Sequence, residues 1–181
     1  RDFFETILTH NPNHEVALYK VIESSCEIGD LKKARKLLTQ FRSNTTPWMQ
    51  LAQGKIYEGE NNSEAAITAY SIAKRIAPEH PYVYAGLGRV YLSKAMYDSA
   101  ISNLSTATTY DTLNMHYLIY LGLAFEKSGD TNSAYLYYTE VDKRYPLYPE
   151  VHSLMANLKF ARKEYASAAR ILERGIEYNP D

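Results

Sequence analysis

Apolar residues recur three and four positions apart along most of the chain, which is the spacing of one face of an α-helix. In one stretch Tyr84, Leu87 and Tyr91 fall on one helical face. After a short break, Ala100 and Leu104 fall on a second face. Strict alternation, which would indicate strands with one buried side, is not the dominant pattern. The sequence therefore predicts an all-α chain of paired helices.

The helical pattern repeats with a period close to 34 residues. One series consists of alanines, with steps of 32, 34, 34 and 34: Ala34, Ala66, Ala100, Ala134 and Ala168. A second series keeps the 34-residue step: Gly54, Gly88 and Gly122. Two independent series with one period indicate a solenoid, in which each unit buries its apolar face against its neighbours.

Turn and capping residues separate the two helices of a unit: Gly29-Asp30, Asn61-Asn62-Ser63 and Gly129-Asp130-Thr131. Glycine and asparagine readily end a helix, and the polar residues that follow can cap the next one. Prolines such as Pro47, Pro81 and Pro149 fall between units, where helices must stop or start.

The repeat resembles the tetratricopeptide repeat in its specific positions. The residues that carry the resemblance are the pairs Leu87-Gly88 and Leu121-Gly122, the aromatics Tyr57, Tyr91, Phe125, Tyr70 and Tyr138, and the closing prolines Pro78, Pro146 and Pro180. The resemblance covers roughly residues 15 to 181. It implies a right-handed superhelical solenoid of antiparallel helix pairs, with about five units and part of a preceding one.

We expect a single array over residues 1–181, in which 1–14 end a truncated repeat and the units span 15–46, 47–80, 81–114, 115–148 and 149–181. Phe4, Ile7 and Pro12 occupy second-helix and closing-proline steps of a preceding unit. The sequence thus starts inside a repeat, and we expect it to be a piece of a longer protein.

Composition narrows the function classes. Hydrophobic residues make up 45% of the chain and charged residues 23%, as in folded globular proteins. With 20 basic and 21 acidic residues the net charge is −1, which disfavours nucleic acid as a partner. There is no apolar run near the roughly 20 residues needed to span a bilayer, so we expect no membrane insertion. The lone Cys26 excludes an internal disulfide and suits the cytoplasm.

No motif for catalysis or cofactor binding occurs in the sequence. Gly86-Leu87-Gly88 lacks the rest of a dinucleotide fingerprint, and no Walker loop or nucleophile elbow is present. His116 and His152 lie one repeat plus two residues apart and could meet as metal ligands, but no acidic or sulfur partner accompanies them. We expect no enzyme activity, no cofactor and no metal site.

The resemblance also implies a concave groove lined by the first helix of each unit. The side chains expected there are Tyr19, Glu23, Trp48, Leu51, Lys55, Glu58, Tyr82, Arg89, His116, Ile119, Glu126 and Asn157. Apolar and aromatic anchors interleaved with charges are typical of a groove for a peptide or helix. One subfamily captures acidic chaperone tails with Lys and Asn at set steps. Here those steps carry Tyr19, Glu23, Leu51 and Ala85, so we expect no such binding.

The sequence therefore favours a protein–protein interaction scaffold that binds a partner peptide or helix in the groove. A second hypothesis is a regulatory or output module of a multidomain bacterial signalling protein such as a response regulator. RNA recognition of the pentatricopeptide kind is disfavoured by the 34-residue period and the neutral charge. Self-association through the array ends is a further expectation.

Overall fold

The computed structural model describes residues 2–43 and 45–178. Over these residues it contains eleven α-helices and no β-strand. The helices are α1 (Asp2–His10), α2 (Glu15–Glu27), α3 (Leu31–Leu38), α4 (Pro47–Gly59), α5 (Ser63–Ile76), α6 (Pro81–Ser93), α7 (Tyr97–Tyr110), α8 (Met115–Ser128), α9 (Thr131–Arg144), α10 (Pro149–Ala161) and α11 (Tyr165–Tyr178). The predicted all-α class is confirmed.

Consecutive helices pack on each other as pairs: α2 with α3, α4 with α5, α8 with α9 and α10 with α11. Their short connections make the two helices of a pair antiparallel neighbours. Helices α2, α4, α6, α8 and α10 begin at residues 15, 47, 81, 115 and 149, which are the first residues of the five predicted repeats.

The turn inside each repeat contains one residue with a left-handed backbone. These residues are Gly29, Asn61, Ala95, Gly129 and Lys163, with φ of 80°, 58°, 56°, 94° and 62°. The next residue in three of the turns caps the second helix: Asp30 accepts from Lys33 N at 3.0 Å, Asn62 from Ala65 N at 3.2 Å and Asp130 from Ser133 N at 3.0 Å. The predicted helix ends and caps at these three turns are confirmed.

The chain divides into two compact units, Arg1–Lys94 and Ala95–Asp181. We call them the N-terminal unit, which contains α1 to α6, and the C-terminal unit, which contains α7 to α11. The division falls between α6 and α7, inside the third predicted repeat.

Tyr70 is central to the core of the N-terminal unit. Its side chain is 1% exposed and lies against Gly54 of α4 and Gly86 of α6. A Cβ atom built on Gly54 would lie 2.5 Å from Tyr70 Cε1, and one on Gly86 would lie 2.6 Å from the same atom. Because real Cβ atoms do not approach a ring so closely, these two positions require glycine as long as the ring is present.

The C-terminal unit has its core between α8, α9 and α10. The buried residues that form it are Leu118, Ala134, Tyr138, Val141, Val151, Met155 and Leu158. Tyr138 is fully buried, and a Cβ atom on Gly122 would lie 2.5 Å from its Cε1. The glycine-on-tyrosine contact of the N-terminal unit therefore recurs here.

Candidate functional site

Helices α2, α4 and α6 of the N-terminal unit lie side by side, because α4 packs on both α2 and α6. We call the surface that they share the first-helix face. The predicted groove residues of this unit all lie on these three helices: Tyr19 and Glu23 on α2, Trp48, Leu51, Lys55 and Glu58 on α4, and Tyr82 and Arg89 on α6.

Four rings meet at the N-terminal ends of α4 and α6, and we call them the aromatic cluster: Tyr19, Trp48, His80 and Tyr82. Ring centroids are 5.4 Å apart for Tyr19 and Trp48, 5.4 Å for Tyr19 and Tyr82, and 5.9 Å for Trp48 and Tyr82. His80 meets Trp48 edge-on at 4.7 Å and lies 5.4 Å from Tyr82. Tilted and edge-on pairs at these distances are favourable ring geometries.

The aromatic cluster is partly open to solvent. Trp48, His80 and Tyr82 are half-buried, whereas Tyr19 is only 2% exposed. The ammonium of Lys20 lies 4.4 Å from the ring centroid of Tyr82, within the range of a cation–π contact. Burial lowers the pKa of His80, which keeps its ring neutral at pH 7.

Next to the aromatic cluster, the side chains of Tyr19, Lys20 and Glu23 on α2 form a polar group. The hydroxyl of Tyr19 donates to Glu23 Oε1 at 2.9 Å, and Lys20 Nζ lies 2.9 Å from Glu23 Oε2. Burial acts to raise the pKa of Glu23, but the Lys20 and Lys55 ammonium groups and the hydrogen bonds from Lys20 and Tyr19 together outweigh it, so that the pKa is lowered. Burial and the Glu23 carboxylate both raise the pKa of Tyr19. Glu23 is therefore a carboxylate whose charge is already balanced.

A second polar group links α4, α5 and α6. Arg89 donates two hydrogen bonds to Glu58, from Nη2 to Oε1 at 2.9 Å and from Nε to Oε2 at 3.1 Å. The hydroxyl of Tyr70 also donates to Glu58. Burial would lower the pKa of Arg89, but the Glu58 carboxylate raises it well above its usual value. The guanidinium and carboxylate, whose side chains are 14% and 18% exposed, act as a fixed ion pair that spans the helices.

Lys55 and Cys26 complete the polar part of the face. Lys55 Nζ lies 3.6 Å from Glu27 Oε1. Burial raises the pKa of the Cys26 thiol to about 11, so the thiol is protonated at neutral pH. The protonated form of a thiol is a poor nucleophile.

Two of the predicted groove residues do not reach the surface. Leu51 is 0% exposed and Tyr19 is 2% exposed. Neighbouring helices enclose the Leu51 side chain completely, and its contact with a partner stays a prediction. Tyr19 contributes by supporting the rings of Trp48 and Tyr82 from beneath.

The remaining predicted residues lie in the C-terminal unit. His116 is exposed, and its ring meets Tyr148 edge-on at 6.3 Å, two repeats beyond the pair of Trp48 and His80. Glu126 Oε2 accepts from the hydroxyl of Tyr138 at 2.9 Å. Ile119 packs on the core of this unit, and Asn157 is exposed. No dense cluster like that of the N-terminal unit is formed by these four residues.

His152, which the sequence offered as a partner of His116, is a buried residue of α10. It is 1% exposed, and its Nε2 lies 3.0 Å from Asp142 Oδ1. Arg174 Nη2 donates to the other oxygen of Asp142 at 2.5 Å. Within the described residues, no group of three or more His, Cys, Asp or Glu side chains is arranged to hold a metal ion.

Three members of the site were missed by sequence reasoning: Lys20, His80 and Tyr70 as a donor to Glu58. His80 precedes Pro81 at the helix-start step that carries Thr46 and Asn114 in neighbouring repeats. The 34-residue period predicts that residue 80 lies at a helix start. The contact of His80 with Trp48 depends on how α4 and α6 pack, which the period does not specify.

The chain is a helical repeat protein. Its helices pack in pairs, its turns have a left-handed residue at the same position of each repeat, and the glycine-on-tyrosine contact recurs. Residues 126–181 match the family model described as "Tetratricopeptide repeat". The prediction of tetratricopeptide repeats is thus confirmed. No curated protein matches the sequence.

Solved structures of tetratricopeptide proteins are similar to this chain in fold. PilF of Pseudomonas aeruginosa is 18% identical, with a TM-score of 0.77 over 91% of this chain and 76% of that chain. MamA of Desulfovibrio magneticus is 16% identical, with a TM-score of 0.73 over 92% and 96%. A further MamA structure is 15% identical, with a TM-score of 0.67 over 98% and 85%. At these identities the likeness shows the fold.

None of the helices in the described ranges combines the length and the apolar content needed to cross a bilayer.

Proposed function

We propose that the protein is a non-enzymatic scaffold that binds a segment of another protein on the first-helix face of the N-terminal unit. The observation that carries this proposal is the aromatic cluster. It places three half-buried rings, Trp48, His80 and Tyr82, on a surface formed by three separate helices. Tyrosine and tryptophan are the residues most enriched among the hot spots of protein interfaces.

The cluster is also preorganised. Each ring contacts at least two others, and Tyr19 supports two of them from the interior. Below the rings, Arg89 and Glu58 lock α6 to α4 with two hydrogen bonds. A surface whose side chains are already ordered loses little conformational entropy on binding, and this supports a role in recognition.

The alternative role as a regulatory module of a signalling protein stays a prediction, and no observation on the described residues favours it. Self-association also stays a prediction. The apolar residues relevant to it are Leu172 and Ile176 of α11, which are 43% and 66% exposed.

Site-specific photo-crosslinking tests the scaffold proposal. A benzophenone amino acid replaces Tyr82 in one variant and Tyr165, an exposed tyrosine of α11, in a matched control. Both variants are incubated in lysate of the source organism, and the crosslinked peptides are identified by mass spectrometry.

We expect a defined segment of another protein to crosslink at position 82 and not at position 165. The same segment, made as a peptide, should bind the unmodified protein and bind Tyr82→Ala at least about tenfold more weakly. Crosslinking that is equal at both positions, or a segment that binds Tyr82→Ala unchanged, would contradict the proposal.

A further inference from the structure

The last three helices of the C-terminal unit form a cavity of about 440 Å³, which we call the basic cavity. The residues that line it come from α9, α10 and α11: Tyr135, Lys159, Ser167, Arg170, Ile171 and Arg174. Of these described lining residues, three are cations and none is an acid. Because the cations come from two helices, the positive charge of the cavity arises from the way α10 and α11 pack.

The lining residues of α11 lie at steps i, i+3, i+4 and i+7, which place them on one face of the helix. Arg170 and Arg174 are therefore neighbours about one turn apart on that face, and like charges at this spacing destabilise a helix. Lys159 of α10 adds a third cation to the same cavity. An anion bound among the three would relieve their repulsion, so the cavity favours an acidic ligand.

Two carboxylates already neutralise part of this charge. Arg174 Nη2 donates to Asp142 Oδ2 at 2.5 Å, and Lys159 Nζ donates to Glu164 Oε2 at 2.8 Å. A guanidinium and an ammonium each carry more N–H donors than these bonds use. Arg174 is also 43% exposed at its side chain, so it can reach a ligand from solvent. Both paired cations therefore keep donors for a bound anion.

Arg170 is the cation that these carboxylates do not contact. Its side chain is exposed, and its Nε donates to the backbone carbonyl of Ala166 at 3.3 Å, a long hydrogen bond. The other acids of α11, Glu173 and Glu177, are exposed and lie outside the lining of the cavity. The three lining cations and the two carboxylates that contact them leave a net charge of +1, which one carboxylate of a ligand would balance.

The size and the walls of the cavity distinguish between anions. One water molecule occupies about 30 Å³, so a cavity of about 440 Å³ has room for more than an inorganic ion. Ile171 and the ring of Tyr135, which lies 4.8 Å from Lys159 Nζ, supply apolar walls on which methylene groups can pack. A phosphate group carries about −1.5 to −2 charges at pH 7 and would exceed the charge of the cavity. These features suit an acidic amino-acid side chain.

We propose that the basic cavity binds a glutamate or aspartate side chain from an acidic segment of a partner protein. The carboxylate of the ligand accepts hydrogen bonds from the guanidinium of Arg170 and from the remaining donors of Lys159 and Arg174. The cavity belongs to the C-terminal unit and shares no residue with the first-helix face. This second binding surface therefore goes beyond the proposed function and does not depend on it.

Titration of the isotopically labelled protein, followed by NMR of its backbone amides, tests this inference. The probe is a short peptide with blocked ends in which glutamate alternates with glycine and serine. The same peptide with glutamine in place of glutamate, and inorganic phosphate, are titrated in parallel. We expect saturable shifts of the α11 amides from Ser167 to Arg174 with the glutamate peptide, and at least about fivefold weaker binding of the other two probes.

Variants locate the contact. Arg170→Gln removes one cation of the cavity and should weaken binding of the glutamate peptide at least about threefold. Arg75→Gln, which makes the same change at an exposed position of α5, and Tyr82→Ala in the aromatic cluster should each leave the affinity within about twofold. Raising the ionic strength from about 0.05 to 0.5 M should weaken binding at least about threefold, because salt screens the charges. Circular dichroism checks that all three variants keep their helices.

The inference is overturned if the glutamate peptide gives no saturable shifts in α11, if the glutamine peptide or phosphate binds at least as tightly, or if Arg170→Gln binds the glutamate peptide as well as the unmodified protein. Binding that Tyr82→Ala weakens would also overturn it, because the peptide would then occupy the first-helix face. None of the first three results bears on the scaffold proposal, which is tested at Tyr82.

Discussion

The ring of Tyr138 fills the space that a side chain on Gly122 would need. A Cβ atom built on Gly122 would lie 2.5 Å from Tyr138 Cε1, and the tyrosine hydroxyl donates to Glu126 at 2.9 Å. In the N-terminal unit Gly54 and Tyr70 have the same relationship, with a Cβ distance of 2.5 Å. The glycine and the tyrosine thus act as one packing unit that fixes how closely the helices of a repeat approach.

Replacing Gly122 with alanine should lower the free energy of unfolding by about 1–3 kcal/mol, because the added methyl overpacks the core against the ring. Guanidinium denaturation measures the change. The same substitution in a Tyr138→Leu background should cost less than about 1 kcal/mol, since leucine occupies the equivalent step at Leu104. An equal cost in both backgrounds would show that the ring is not what excludes the methyl.

Arg89→Met should lower the free energy of unfolding by roughly 3 kcal/mol, because it leaves the mostly buried Glu58 carboxylate without its cation. Lys127→Met is the matched control. Lys127 lies 3.9 Å from Glu126 but is 54% exposed, so its loss should change stability by less than about 1 kcal/mol. Similar values for the two variants, measured by chemical denaturation, would mean that the ion pair of Arg89 adds nothing beyond a surface pair.

Lys163→Gly should raise the free energy of unfolding by about 0.5–1 kcal/mol. Lys163 has a φ of 62°, which costs a residue with a Cβ atom about 1–2 kcal/mol, and glycine recovers most of this while losing some chain entropy. Ala161→Gly, two residues earlier in α10, should instead lower stability by up to about 1 kcal/mol. Destabilisation by both glycines in thermal or chemical denaturation would contradict the assigned backbone of the turn.

The stability of the protein should fall on acidification partly through Glu23. Its pKa in the folded protein lies below the usual glutamate value of about 4.3, so its contribution is present above that value and is lost as the pH falls through the folded pKa. Between about pH 5 and 3 the loss should be smaller in Glu23→Gln and in Lys20→Gln, which removes the stabilising ammonium. Denaturation at each pH measures this loss of stability. If both variants lose as much stability as the unmodified protein, Glu23 is not the group responsible.

Most of the fold could be predicted from the sequence because the pattern of residue types repeats along the chain. The turns at Gly29 and Gly129 and the glycine-on-tyrosine steps follow from residue type and spacing. Ala95 and Lys163 could not be recognised in the same way, because neither residue favours the left-handed backbone that the helix pair imposes on them.

The candidate site was only partly accessible to sequence reasoning. Register assigned Tyr19 and Leu51 to the first-helix side, but the depth of a side chain depends on the neighbouring helix, which buries both residues. Register also separates Trp48 from His80 by almost a full repeat, whereas their rings lie 4.7 Å apart across α4 and the start of α6. Such contacts between repeats depend on the packing of adjacent units and not on the period.

The most direct test of the central claim, that the first-helix face binds protein segments, is selection from a random peptide display library. The immobilised protein is the target, and selected peptides are measured against Tyr82→Ala and, as a matched control, Tyr165→Ala. We expect peptides that bind the unmodified protein and Tyr165→Ala equally and lose at least about tenfold in affinity for Tyr82→Ala. Failure to enrich any peptide, or enrichment of peptides that bind all three proteins equally, would contradict the assignment of this face as a binding surface.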